Sequence, residues 1–283
     1  MLKNRLIPVL LLRNGIIVQS RGFKRYQPLG NPVAMVRRLN VWTADELIYL
    51  DISPDAVYDT GRDDHRDGNR HSLLEIIRDI ADASFMPLTF GGRIRTVDDI
   101  RQYLSAGADK VTINTQAIAR PEFISESAQE FGSQCIVVAI DVKINDDGDY
   151  EVKTERGRVA TGLNPVAWAK EAEDRGAGEI FLNSIDRDGA GHGYDLELLK
   201  KVTDSVSIPV IACGGVGDWS HFADGLKAGA SAVAAANIFN YTEQSVYNAK
   251  KYLYENGFNV RKPALIDDNL RDKSSKKNPL LAV

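Results

Sequence analysis

Short apolar runs rich in Val and Ile alternate along the chain with segments whose apolar residues recur every three to four positions. Runs of the first kind fit strands buried on both faces, and the second kind fit amphipathic helices packed on them. The pattern predicts strands over 6–11, 47–52, 87–90, 110–114, 136–141, 179–183, 209–212 and 232–235. It predicts helices over 32–40, 73–84, 97–106, 121–131, 165–175, 196–206, 219–228 and 243–255. Proline stands near the first turn of several of these helices, where its missing N–H removes no intrahelical bond.

The elements fall into two similar halves. Asn31-Pro32-Val33-Ala34 recurs as Asn164-Pro165-Val166-Ala167, and the same spacing carries Ala44-Asp45-Glu46-Leu47 onto Ala177-Gly178-Glu179-Ile180. Further on, Met86-Pro87-Leu88 matches Ile208-Pro209-Val210, and Ala106-Gly107-Ala108 matches Ala228-Gly229-Ala230. The spacing shortens because the first copy carries a longer polar loop, residues 55–71. Four strand–helix pairs repeated once predict an α/β fold, a (β/α)8 TIM barrel built from two half-barrels. A doubly wound open sheet would fit the periodicity but leaves the duplication unexplained. The barrel is expected to occupy residues 1–260 as one domain, with 261–283 as a solvated polar extension.

Composition narrows the chemistry. With 283 residues, 43% hydrophobic, and a net charge of −4, the chain is neither disordered throughout nor basic enough to suggest nucleic acid. Its two cysteines, Cys135 and Cys213, make no disulfide framework, and its four histidines show no metal-ligand spacing, so neither metal nor cofactor is expected. The apolar run at 6–12 contains Pro8 and meets Arg13-Asn14-Gly15, which reads as strand and turn rather than a secretory signal. No run approaches the ~20 apolar residues of a membrane span, and a cytoplasmic location is expected.

In such barrels chemistry belongs to the C-terminal strand ends. Gly91-Gly92 follows the third predicted strand and Gly214-Gly215 the seventh, while Asn114-Thr115 and Ala236-Asn237 follow the fourth and eighth. A glycine turn beside a small polar strand end suits a phosphate, and two of them suggest a substrate with a phosphate at each end. Between them Asp141 closes a buried apolar strand, where a carboxylate is costly unless used or paired. Asp188-Gly189 offers a second acid or an anion-facing turn, and Asp51 an acid or a loop anchor. The repeat places Leu11 opposite Asp141, so a mechanism needing two opposed acids has lost one. At the other end of the barrel Arg5, Glu46, Lys110 and Glu179 each stand just before an apolar run, which suggests a ring of salt bridges that stabilises this face.

From Met1 to Asn259 the chain resembles the cyclase subunit of imidazole glycerol phosphate synthase. The resemblance rests on Asp45-Glu46-Leu47 with Leu50-Asp51-Ile52, on Ala106-Gly107-Ala108-Asp109-Lys110-Val111, on Phe131-Gly132-Ser133-Gln134-Cys135 leading into Asp141, and on Asp186-Arg187-Asp188-Gly189 with Gly193-Tyr194-Asp195. It implies a class I glutaminase bound at the N-terminal face and ammonia passing through the barrel. The ring Arg5, Glu46, Lys110, Glu179 then matches an ammonia gate, and Asp109 a partner-facing residue. It implies a bis-phosphorylated open-chain substrate and two acid–base aspartates, of which Asp141 matches one and Leu11 the other. Gln19 stands for a loop lysine, Arg93 for a glycine of the first phosphate turn, and Asn237 for a phosphate-binding serine. With gate and partner face kept and the chemistry face altered, the chain is similar to the diverged cyclase-like proteins that supply ammonia for sugar amidation in surface-polysaccharide biosynthesis, beside a separate amidotransferase. A working cyclase of histidine biosynthesis and a non-catalytic scaffold activating the glutaminase are the alternatives.

Overall fold

A computed structural model describes residues 2–54 and 72–266. Its strands are β1 (Arg5–Arg13), β2 (Ile16–Arg21), β3 (Arg25–Gly30), β4 (Leu47–Asp51), β5 (Leu88–Gly91), β6 (Lys110–Ile113), β7 (Ile136–Ile144), β8 (Tyr150–Thr154), β9 (Val159–Ala160), β10 (Glu179–Ser184), β11 (Val210–Cys213) and β12 (Ala232–Ala235). The helices are α1 (Pro32–Val41), α2 (Leu73–Ala83), α3 (Val97–Ser105), α4 (Thr115–Ala119), α5 (Glu122–Phe131), α6 (Pro165–Asp174), α7 (Leu196–Thr203), α8 (Trp219–Lys227) and α9 (Ser245–Glu255). Strands β1, β4, β5, β6, β7, β10, β11 and β12 pair in parallel in that order, and β12 returns to β1 through Arg5↔Ala232 to Pro8↔Ala235. The fold is a (β/α)8 TIM barrel.

The duplicated sequence becomes duplicated local structure. Asn31 Oδ1 accepts from the N–H of Val33 (2.8 Å) and Ala34 (3.1 Å) to cap α1, and Asn164 Oδ1 accepts from Val166 (2.9 Å) and Ala167 (3.2 Å) to cap α6. In both helices proline occupies the first turn, so cap and ring together fix where the helix begins. Both halves also extend their first strand into an antiparallel hairpin, β1–β2–β3 and β7–β8–β9. The first turns at Asn14-Gly15, both with positive φ (50° and 78°), the two-residue turn whose twist matches paired strands.

Observed and expected elements agree to within a few residues. The hairpins and α4 are additions, and β7 runs past Asp141 to Ile144 because the same strand leaves the barrel ladder to pair with β8. Helix α9 starts at Ser245 rather than 243 because Gln244 is left-handed (φ 55°). The polar loop at 55–71 lies outside the described residues, as does most of the C-terminal extension. Of that extension, the part up to Ile266 returns to α1, with Thr43 Oγ1 donating to Ala264 O (2.9 Å) and Ile266 N to Val41 O (3.0 Å).

Two apolar layers hold the barrel. The larger lies between strands and helices, and the smaller fills the interior with Ile7, Val9, Ile48, Val137, Ala139, Phe181, Ile211, Ala232 and Ala234. Alternation along a strand fixes what faces inward. On β1 it is Arg5, Ile7, Val9 and Leu11; on β7 it is Val137, Ala139 and Asp141. Strand β7 therefore carries apolar Val137 to one mouth and Asp141 to the other, whereas β1 carries Arg5 to one mouth and apolar Leu11 to the other.

Candidate active site

At the C-terminal mouth the strand ends and loops enclose a cavity of about 440 Å³ with Asp141 on its wall. Asn114 Nδ2 donates to Asp141 Oδ2 at 2.7 Å and Asn183 Nδ2 to Oδ1 at 3.2 Å. Burial pushes the Asp141 carboxyl up to about 6; the two amide donors pull the other way, and the nearby Asp188 charge adds to the rise. A carboxyl tuned to that range exchanges a proton readily near neutral pH.

Asp188 lines the same cavity, and burial raises its pKa too, against hydrogen bonds from Ser20 Oγ, Phe23 N and Gly22 N. Its Oδ2 accepts from Ser20 Oγ (2.8 Å) and Phe23 N (3.2 Å), which ties the β2–β3 turn across the barrel mouth. Asn237 completes the clasp, its Nδ2 donating to Ser20 O at 2.7 Å. A side chain on Gly189 would strike this turn, since a Cβ there lies 2.9 Å from Ser20 O.

The two glycine turns are offset by one residue. Strands β5 and β11 superpose Gly92 (φ 96°) on Gly214 (φ 99°) and Arg93 (φ 61°) on Gly215 (φ 98°), so Gly91 corresponds to Cys213 rather than to the first glycine of the second pair. Each turn is pressed against backbone: a Cβ on Gly92 would lie 2.2 Å from Asp51 O, and one on Gly215 2.2 Å from Gly193 O. Asp51 anchors this region rather than standing free, with Arg93 Nε and the Ser53 N–H (3.0 Å) both donating to its carboxylate. Of the expected substrate residues, Gly92, Asn114, Thr115, Asp188 and Ala236 line the cavity with Asp141; Gly91, Gly189, Gly214, Gly215 and Asn237 are not on its wall.

The acid is one-sided. Asp141 pairs in register with Asn183 on β10, and its counterpart Leu11 pairs with Leu50 on β4. Asn114, after β6, corresponds to Ala236, after β12. The trio Asp141, Asn114, Asn183 therefore faces Leu11, Ala236, Leu50, which pack as apolar residues on the interior core.

At the opposite mouth four charges close into a ring. Arg5 Nη1 meets Glu46 Oε2 (2.6 Å), Arg5 Nη2 meets Glu179 Oε1 (2.7 Å), and Lys110 Nζ lies 3.1 Å from both Glu46 Oε1 and Glu179 Oε2. Burial works against the Arg5 charge, but Glu179 and Glu46 outweigh it and hold its pKa above the ordinary value. Thr89 Oγ1 donates to Glu46 Oε1 (2.9 Å) from inside the barrel. Asp109, exposed on this face, accepts from Leu88 N (2.8 Å) and fixes the start of β5.

A family model described as "Histidine biosynthesis protein" matches residues 5–245. The chain belongs to that family. The match spans both half-barrels, the ring and every residue on the cavity wall. The family includes biosynthetic enzymes, so the cavity belongs to an enzyme scaffold. Among the described residues no helix is long and apolar enough to cross a membrane.

Three participants escaped the sequence. Asn183 was legible in retrospect, since alternation from Glu179 through Phe181 puts it inside. Ser20 clasps a residue 168 positions away, and Arg156 reaches the cavity from a hairpin turn. Neither carries a local signal.

Proposed function

We propose that this family member is the synthase-type subunit of a glutamine amidotransferase complex. A class I glutaminase docks at the N-terminal mouth, ammonia enters through the Arg5–Glu46–Lys110–Glu179 ring, and the barrel interior leads it to the cavity around Asp141. Val9, Ala139 and Phe181 reach both the interior core and the cavity wall, which gives a small neutral molecule an apolar route. Thr112 Oγ1 and Asn114 Oδ1, buried and without partners among the described residues, offer acceptors on the way to the acid.

The observation that carries the reading is the contrast between the two mouths. The ionic ring is complete, whereas the acid site is half apolar. Ring closure of a bis-phosphorylated substrate by two opposed acids lacks its second proton carrier, because Leu11, Leu50 and Ala236 neither accept nor donate. The chain is therefore read as a diverged cyclase-like barrel that provides ammonia for amidating a sugar in surface-polysaccharide biosynthesis, beside a separate amidotransferase. A working cyclase of histidine biosynthesis is the second reading, and Asp188 favours it as another cavity carboxyl with a raised pKa. Against it, the Asp188 Oδ2 is already committed to Ser20 and Phe23.

The test is reconstitution with a class I glutaminase, following glutamine hydrolysis and incorporation of ammonia into product. Lys110→Glu places a third carboxylate in the ring and should uncouple hydrolysis from incorporation. Unchanged coupling in a folded variant would contradict the gate. Asp141→Asn separates delivery from mere activation: a pure scaffold would keep its full output.

A further inference from the structure

The cavity carries an arginine grip that the repeat itself exposes as foreign. Arg93 occupies the position of Gly215 and keeps its left-handed backbone (φ 61°), a conformation costing a residue with a side chain about 1–2 kcal/mol. Its guanidinium reaches the cavity, held by Nε on the Asp51 carboxylate and Nη2 on Ser53 O (3.2 Å). Arg156 comes from the turn between β8 and β9, where Glu155 and Arg156 are both left-handed (φ 49° and 61°). Its Nη1 donates to Ile52 O at 3.1 Å, so two arginines from different loops anchor on consecutive carbonyls at one edge of the cavity. Among the described residues no carboxylate pairs with Arg156, and Arg93 spends one edge on Asp51, leaving donors on both guanidinium groups.

The charges of the wall select the ligand. Its described cations are Arg93, Arg95 and Arg156, and its described carboxyls are Asp51, Asp141, Glu155 and Asp188. A dianionic phosphate would meet a wall already balanced toward negative charge, whereas a single planar charge matches the arginine forks. We propose that Arg93 and Arg156 bind the carboxylate of a sugar-sized monoanion, in place of a phosphate cradled by backbone. The inference concerns the cavity assigned above, but its test uses neither ammonia nor a glutaminase, so the two stand or fall separately.

The experiment is calorimetric titration of the full chain with glucuronate and with ribose 5-phosphate, for the unaltered protein, Arg93→Gly and Arg156→Ala. Glucuronate should bind at least tenfold more tightly than ribose 5-phosphate. Each substitution should weaken glucuronate by about tenfold or more, the loss of a charge-assisted contact. Arg93→Gly relieves the backbone strain but strips buried Asp51 of its ion-pair partner, so the fold control is Arg156→Ala, which breaks no ion pair among the described residues and should melt close to the unaltered chain while losing glucuronate affinity. Three results would overturn the proposal: no glucuronate binding by the unaltered chain, unchanged glucuronate affinity in both variants, or tighter ribose 5-phosphate binding by Arg93→Gly. The last would make Arg93 an obstruction over a surviving backbone phosphate turn.

Discussion

Asp141→Asn tests the acid site through stability alone. In the unfolded chain the carboxyl titrates at its ordinary 3.8, and in the folded barrel burial pushes it up to about 6. Below the lower value both states carry the proton, and the site contributes no pH dependence. Between the two the unfolded chain has lost its proton while the folded chain keeps it, so stability falls as pH rises. Above the folded value the penalty is constant. A gap of about two units corresponds to about 3 kcal/mol. Asparagine has no proton to lose, and its amide finds a partner if Asn114 turns to present the Oδ1 that now lacks one. Urea unfolding of both proteins from pH 4 to 8 isolates the site, because the other carboxyls titrate alike in each. The stability difference, variant minus unaltered chain, should rise through pH 4–6 by up to about 3 kcal/mol and then level off. A difference independent of pH, or one that falls, would refute a buried acid at this position.

Four further outcomes follow from the packing. Lys250→Met removes a partner from a nearly fully buried pair (Nζ to Asp45 Oδ1, 2.7 Å) and should cost about 3–5 kcal/mol in urea unfolding, with Asp45→Asn added to it recovering most of the loss. Asn31→Ala and Asn164→Ala each remove a helix cap and should cost about 1 kcal/mol; lying on opposite halves, their effects should add in the double variant. Ser20→Ala removes the hydroxyl from Asp188 and should loosen the β2–β3 turn, read as faster amide hydrogen exchange at Gly22 and Phe23 with little change in global unfolding. Glu46→Gln breaks two ion pairs of the ring at a buried position and should lower stability by a few kcal/mol, a loss that salt screens less than it would a surface pair's.

How much of this was written in the sequence differs by element. The eight barrel strands and their helices were legible because each unit repeats one physical pattern, an apolar run then an amphipathic helix, and because Asn31-Pro32 and Asn164-Pro165 mark equivalent helix starts. The ring was legible as four charges standing before apolar runs, since strand alternation carries them to one mouth. The hairpins were only half visible: Asn14-Gly15 signals a tight turn, but the apolar part of β2 is just Ile16-Ile17-Val18, and β3 is too polar to announce itself. Arg93 shows where local reading fails. Matching glycine pair to glycine pair aligns Gly91-Gly92 with Gly214-Gly215, whereas the repeat spacing set by Met86-Pro87-Leu88 and Ile208-Pro209-Val210 puts Arg93 on Gly215, and the backbone angles agree with the spacing. Contacts across the chain, such as Ser20 with Asp188 or Asp45 with Lys250, have no local signature because folding alone brings them together.

The most direct measurement gives the purified chain the bis-phosphorylated cyclase substrate with excess ammonium salt, which removes any need for a glutaminase. With Leu11, Leu50 and Ala236 facing Asp141 across the barrel and Asp188 committed to Ser20 and Phe23, the expected result is no turnover by the folded protein. Release of imidazole glycerol phosphate and the aminoimidazole carboxamide ribotide would contradict it and show that cyclisation proceeds without the second acid.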